Sequence, residues 1–269
     1  MEKRFGVLVR SYNKKGKSQE DIDKDITRAV VNARTLCELV MPDGTQALEV
    51  VMFVVPKDYD YGGTAERLRN EFEAAQLRAL AIKVSGHHSC GALNQGLLRL
   101  RAYTHNYDPD VYEPQGPAYG IVISGKATAY MTPAIVQGIK EAFDAGARVV
   151  GVETDELAEI VAKGRVQNTF AAWDLDALFG LAPPAFDSEV GVEEYAPAAR
   201  LVRQYGKCIA VLKPANMPPL NIRDNADGRA RHEEVMQTKA ARQQDEADRV
   251  GVQFDEVEAG ILPGYPKTV

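Results

Sequence analysis

Tyr119-Gly120-Ile121-Val122-Ile123, then Thr132-Pro133 opening a segment that runs to about Ala145 and stops at Gly146, then Arg148-Val149-Val150-Gly151-Val152, decide the fold class. The two short apolar runs are rich in β-branched residues and bounded by turn residues, which predicts buried strands. Between them, Thr132 as N-cap and Pro133 at the first helical position satisfy or remove N–H groups that a helix start cannot use internally. Strand, helix, strand in that order is the crossover unit of a parallel sheet.

The same alternation extends to both sides. Phe5 to Val9, Leu48 to Val55, Leu80 to Val84 and Cys208 to Leu212 are further apolar runs. Between the first two, Ile22, Ile26, Ala29, Ala33, Leu36 and Val40 recur every three or four residues, the spacing of one apolar helix face. Thr64 to Leu77 and Cys90 to Tyr103 are also expected to be helical. The fold class expected is α/β, with a mainly parallel central sheet and helices on both faces. In such sheets ligands bind beyond the carboxyl ends of the strands, so the residues just after each strand carry the functional question.

Two regions interrupt the alternation. Thr104 to Ala118 carries three prolines and is expected to be a long loop. After Pro214 the chain becomes Pro-rich and then highly charged from Arg223 to Arg249. The expected organisation is a body over 1–215 and a partly helical extension over 216–269, through which the chain can self-associate.

Of the 269 residues, 45% are hydrophobic and 26% charged, the balance of an ordinary globular protein. A net charge of -6 without a long basic run argues against a nucleic-acid partner, which requires clustered Lys and Arg. Cys37, Cys90 and Cys208 are odd in number and far apart, so a reducing, cytoplasmic location is expected. No stretch approaches a membrane span and the first apolar strand is too short for a signal-peptide core, so neither a span nor secretion is expected. GxxxxGK[ST] is absent, which excludes a P-loop; GxGxxG and Gly-x-Ser-x-Gly are absent too. His87 and His88 have no carboxylate at metal spacing, so zinc is not expected, and His105 and His232 read as loop and tail residues. Cys90 at a helix start has no identifiable His partner and reads as a small helix residue.

The strand ends carry features in a recognisable order. The first ends Val9-Arg10-Ser11-Tyr12-Asn13, and the second leads into Lys57-Asp58-Tyr59-Asp60-Tyr61-Gly62-Gly63-Thr64. The helix after the third contains Asn94-Gln95-Gly96-Leu97. The fourth strand delivers Ser124-Gly125-Lys126, and Glu193-Glu194 comes later with Arg200 six residues after Glu194. Over roughly residues 4 to 215 this order resembles the inverting, family 2 glycosyltransferases of the GT-A fold. The resemblance implies a nucleotide-sugar donor, an acceptor that it does not identify, and Glu194 as the base that deprotonates that acceptor, with Glu193 beside it. The family holds a manganese or magnesium ion on an Asp-x-Asp motif where this chain has Ser124-Gly125-Lys126. Ser and Lys do not replace anionic oxygen ligands, so the resemblance leaves the metal unassigned.

Each candidate has a structural reading beside the functional one. Lys126 can place an ammonium against a diphosphate, or be a solvated loop lysine. Glu193 and Glu194 can serve catalysis, or simply favour a helix N-terminus. Asp58 and Asp60 can contact a nucleobase, hold a cation, or shape a turn. Arg10 can pair with phosphate, with Asn13 nearby; Tyr12 can line the base or pack in the core. Trp173 is a sugar platform or a core residue. Two functions follow: sugar transfer from a nucleotide-sugar, or a non-catalytic nucleotide- or sugar-binding or scaffold protein that keeps the fold. A nucleotidyltransferase would require a Gly-rich, Arg-containing loop after the first strand, which Arg10-Ser11-Tyr12-Asn13 is not.

Overall fold

A computed structural model of the chain describes residues 4–11, 16–85, 89–103, 117–154, 161–181, 186, 194–216, 245, 247–249 and 251–269. Its centre is an eight-stranded sheet of β1 (Phe5–Arg10), β2 (Val50–Pro56), β3 (Ala79–Val84), β4 (Tyr119–Ser124), β5 (Val149–Val152), β6 (Phe170–Asp174), β7 (Ile209–Lys213) and β8 (Lys267–Thr268). The order across the sheet is β3-β2-β1-β4-β6-β5-β7-β8. Every neighbouring pair is parallel except those of β6, which runs antiparallel to both β4 and β5. The α/β class with a mainly parallel sheet is therefore the observed one.

Both faces are covered, which is why all seven residues of β2 are buried rather than alternating in and out. On one face lie α1 (Gln19–Cys37), α2 (Thr64–Ala74) and α4 (Pro133–Asp144), packed on Val7, Val9, Phe53 and Ile121. On the other lie α3 (Ser89–Ala102), α5 (Leu175–Phe179), α6 (Tyr195–Tyr205) and α7 (Phe254–Ala259), packed on Leu8, Met52, Val54 and Trp173. The helix starts follow the sequence signals. The Ser18 side chain accepts from the Asp21 N–H at 3.1 Å, and the Thr132 hydroxyl accepts from the Ile135 N–H at 3.3 Å with Pro133 at the first turn.

Residues 251–269 are built into the far edge of the sheet. The Gly260 carbonyl accepts from the N–H groups of Cys208 and Ile209, each at 2.9 Å, and the Val269 N–H donates to Lys213 O at 2.9 Å. Arg203 pairs with Glu256, and Lys267 with Glu141. Most of the charged segment before this, residues 217–244, lies outside the described residues. Cys37 and Cys208 are free thiols. Burial pushes the Cys208 thiol up to about 11, with Arg148 pulling the other way.

Gly96 has a packing role. A Cβ there would sit 2.8 Å from both Leu8 Cδ1 and Val54 Cγ2, so only glycine lets α3 approach β1 and β2 this closely. Gly96→Val is expected to destabilise the fold by about 1–3 kcal/mol through overpacking, measured as a lower urea midpoint; an unchanged midpoint contradicts this account of the α3 contact.

Candidate functional site

Strand order places the site. From β1 the chain moves to β2 and β3 on one side and then to β4 on the other, so the sheet's topological switch lies between the carboxyl ends of β1 and β4. Arg10 and Ser124, the last residues of these strands, are register partners there. Side chains alternate along a strand, so both fall on the face that holds Leu8 and Val122, the face of α3 and α6.

Arg10 donates from Nη2 to the carbonyl of Asn168 at 3.2 Å. Asn168 precedes β6 and is fully buried. Its N–H donates to Glu194 Oε1 at 2.9 Å, and its Oδ1 accepts from Trp173 Nε1 at 3.3 Å. One residue thus joins the end of β1, the start of β6 and the start of α6. Two polar atoms in this group, Arg10 Nε and Asn168 Nδ2, are buried without a hydrogen-bond partner.

Glu194 is 5% exposed and stands at the N-cap of α6, yet its side chain makes no capping bond. The carboxylate reaches the Asn168 N–H instead, so helix-end stabilisation does not account for it. Arg200, six residues on, is half-buried on α6, at a spacing that does not share a helix face with Glu194. Glu193, Tyr12 and Asn13 lie outside the described residues, as do His87, His88, His105 and His232.

The turn after β4 is closed on itself and on α1. Asn32 Nδ2 donates to Gly125 O at 2.8 Å, and the Thr128 hydroxyl lies 2.9 Å from both Asn32 Oδ1 and Gly125 O. Ser124 Oγ accepts from the Ala127 N–H at 3.3 Å. Lys126 is exposed on this turn. Asn32 lies on α1, 93 residues before Gly125, and nothing local in the sequence links the two.

Two expectations resolve toward structure. Asp60 Oδ1 accepts from the Ala65 N–H at 2.9 Å, while Oδ2 pairs with Lys83 at 2.6 Å. This carboxylate is spent on the start of α2 and the end of β3. Gly62 and Gly63 supply the positive φ of +69° and +67° that the turn requires. Asp58 is exposed on the same turn. Trp173, the second correction, is 0% exposed. It packs edge-on against Phe186 at 5.2 Å, so neither ring face is presented to a sugar. Phe186 is held by Asn94, which donates from Nδ2 to Phe186 O at 2.8 Å and accepts from its N–H at 3.2 Å.

A divalent cation does not fit the described donors. Among the described residues no group of three or more His, Cys, Asp or Glu can hold a metal. At the switch point stand Arg10, a serine hydroxyl already bonded, and an exposed lysine. A cavity of about 640 Å³ does open in the molecule, lined by Phe5, Cys37, Met41, Arg78 and Lys140 among others. It lies at the amino ends of β1 to β3, away from the switch point, and its Arg4 and Lys140 are paired with Glu49 and Asp144.

No protein-family model matches the chain, and no curated protein matches it. A solved mannosyltransferase from Pyrobaculum calidifontis, in complex with GDP-mannose and Mn2+, matches in fold with a TM-score of 0.54 and 16% identity. The match covers 90% of this chain and 65% of that one, so this chain spans about two thirds of its neighbour's length. The likeness is to a glycosyltransferase-like α/β fold. No helix among the described residues is long and apolar enough to cross a membrane.

Glu153, at the end of β5, was not singled out by its sequence. It is 3% exposed, and burial pushes its carboxyl above the ordinary range while Lys213 pulls it down. A carboxyl raised on folding binds its proton more tightly in the native state, so stability falls as pH rises through the unfolded pKa toward the folded one. Glu153→Gln is expected to raise the melting temperature more at about pH 8 than at about pH 4; a shift equal at both would deny Glu153 that part in the pH dependence.

Proposed function

We propose that this chain transfers a sugar from a nucleotide-diphosphate donor to a hydroxyl acceptor, with inversion at the anomeric carbon. The observation that carries the reading is the Glu194 carboxylate, buried and oriented by the Asn168 N–H on the residue that also receives Arg10 from the β1/β4 switch point. The fold likeness to a protein solved with GDP-mannose supports a nucleotide-sugar donor.

In this reading the diphosphate lies over the ends of β1 and β4, beside Arg10, Ser124 and Lys126. The nucleobase lies toward Asp58, and Arg200 lines the α6 side; Tyr12 and Asn13, outside the described residues, are the further candidates for contacting it. The acceptor oxygen forms a bond to the anomeric carbon as the bond from that carbon to the diphosphate oxygen breaks. The nucleoside diphosphate leaves with the bonding electron pair, and Glu194 takes the acceptor proton. Attack from the side opposite the leaving group inverts the centre.

A second reading, a non-catalytic binding protein, is favoured by Ser124-Gly125-Lys126 in place of a metal-holding pair of carboxylates. The two separate on donor turnover. With a panel of UDP-, GDP- and dTDP-sugars, the wild-type chain is expected to bind one donor and release its nucleoside diphosphate. Glu194→Gln keeps the side-chain oxygen that accepts from Asn168, so it should bind that donor equally while turnover falls by about 10²–10⁴-fold. Turnover undiminished in Glu194→Gln would remove Glu194 as the base, and wild-type binding without turnover would select the second reading.

A further inference from the structure

We infer that the site holds the diphosphate of its donor directly on the Arg10 guanidinium, with no divalent cation between them. The inference rests on the nucleotide-sugar reading above and specifies how that donor is bound. It starts from a charge that has no counter-charge among the described residues. Arg10 ends β1 at the topological switch, half-buried, and its hydrogen bond goes to a neutral carbonyl, Asn168 O. No described carboxylate lies within ion-pair distance of it. Its Nε is buried and unbonded, and so is Asn168 Nδ2 on the residue that anchors it.

Two described acidic groups near the switch are committed elsewhere. Asp60 is shared between the Ala65 N–H and Lys83, and Glu194 Oε1 accepts from Asn168. The described group at the switch is therefore rich in donors and poor in anionic acceptors. Magnesium and manganese require hard anionic oxygens, and a guanidinium a strand's width away repels them. A diphosphate has the opposite requirement. Its oxygens take N–H donors, and the planar guanidinium offers parallel donors that match two phosphate oxygens. As the glycosidic bond breaks, negative charge grows on the departing diphosphate, and a fixed cation there stabilises it without reorganisation.

The experiment is calorimetric titration of the full chain with UDP, GDP, ADP, CDP and dTDP, once in EDTA and once in MnCl2. At least one diphosphate should bind with the same affinity in both. Arg10→Gln should weaken that binding by at least about tenfold, the scale of a lost charge-assisted hydrogen bond. Arg10→Lys, which keeps the charge and loses the fork, should fall between the two and serves as the variant of record if Arg10→Gln does not fold. Binding that appears only with manganese overturns this inference and leaves the nucleotide-sugar reading standing. Full affinity in Arg10→Gln overturns it as well. Failure of every diphosphate in both buffers overturns the inference and the reading together.

Discussion

Asn168 bonds to three elements that no local signal connects: its N–H to Glu194 on α6, its carbonyl to Arg10 on β1, and its Oδ1 to Trp173 on β6. All of this occurs where water is excluded, since Asn168 and Trp173 are fully buried. Removing one partner from such a group leaves a desolvated donor or acceptor, at about 1–3 kcal/mol each. The geometry is therefore held as a unit. The position of the candidate base and the position of the candidate phosphate-binding cation are set by the same residue.

That unit depends on the direction of β6. Parallel strands are joined by long crossovers, but β6 enters between β4 and β5 running the other way, so its start meets the carboxyl end of β4. Ser124 N donates to Thr169 O at 2.9 Å, which fixes the approach of Asn168 to Arg10. The short apolar runs made the parallel strands legible, because a strand covered on both faces is apolar throughout. They carried no sign of direction, and Phe170-Ala171-Ala172-Trp173 has the same apolar character whichever way it runs. β8, two residues long and exposed, has too little pattern to be read at all.

The strand ends of the candidate site were legible in the sequence, and the contacts made there were less so. Arg10 and Ser124 end β1 and β4, and Lys126 follows in the turn, where the apolar runs of the sequence put them. The strand-end rule did not reach Asn32 or Asn168, and Asn94 had a place in a motif but not its contact. Each of these is an asparagine bonded to a residue distant in sequence, 93, 92 and 158 positions away. An amide side chain has both donors and acceptors, so it suits the bridges that Asn32 and Asn94 make, whereas Asn168 reaches Arg10 and Glu194 through its main-chain carbonyl and N–H; in no case does the sequence neighbourhood hint at the partner. Asp60 and Trp173 show the converse. Their residue types matched ligand chemistry, yet a helix start, a lysine and a hydrophobic layer use them completely.

The serine at 124 and the arginine at 10 belong to one electrostatic choice. They are register partners on adjacent parallel strands, on the same face and about 4.8 Å apart along the hydrogen-bonding direction. In the family that this sequence resembles, the turn after β4 begins with a metal-binding carboxylate. A carboxylate at 124 would face the Arg10 guanidinium within ion-pair reach, and each would neutralise the other: the acid would be a poorer metal ligand and the arginine a poorer anion binder. A site of this shape can carry the carboxylates and a cation bound from solution, or it can carry the cation in its own sequence. Ser124 leaves Arg10 charged at the switch point, while Gly125 and Thr128 close the turn against Asn32 without any acid. The charge at the switch point is thus set by a single pair of strand ends, Arg10 on β1 and Ser124 on β4.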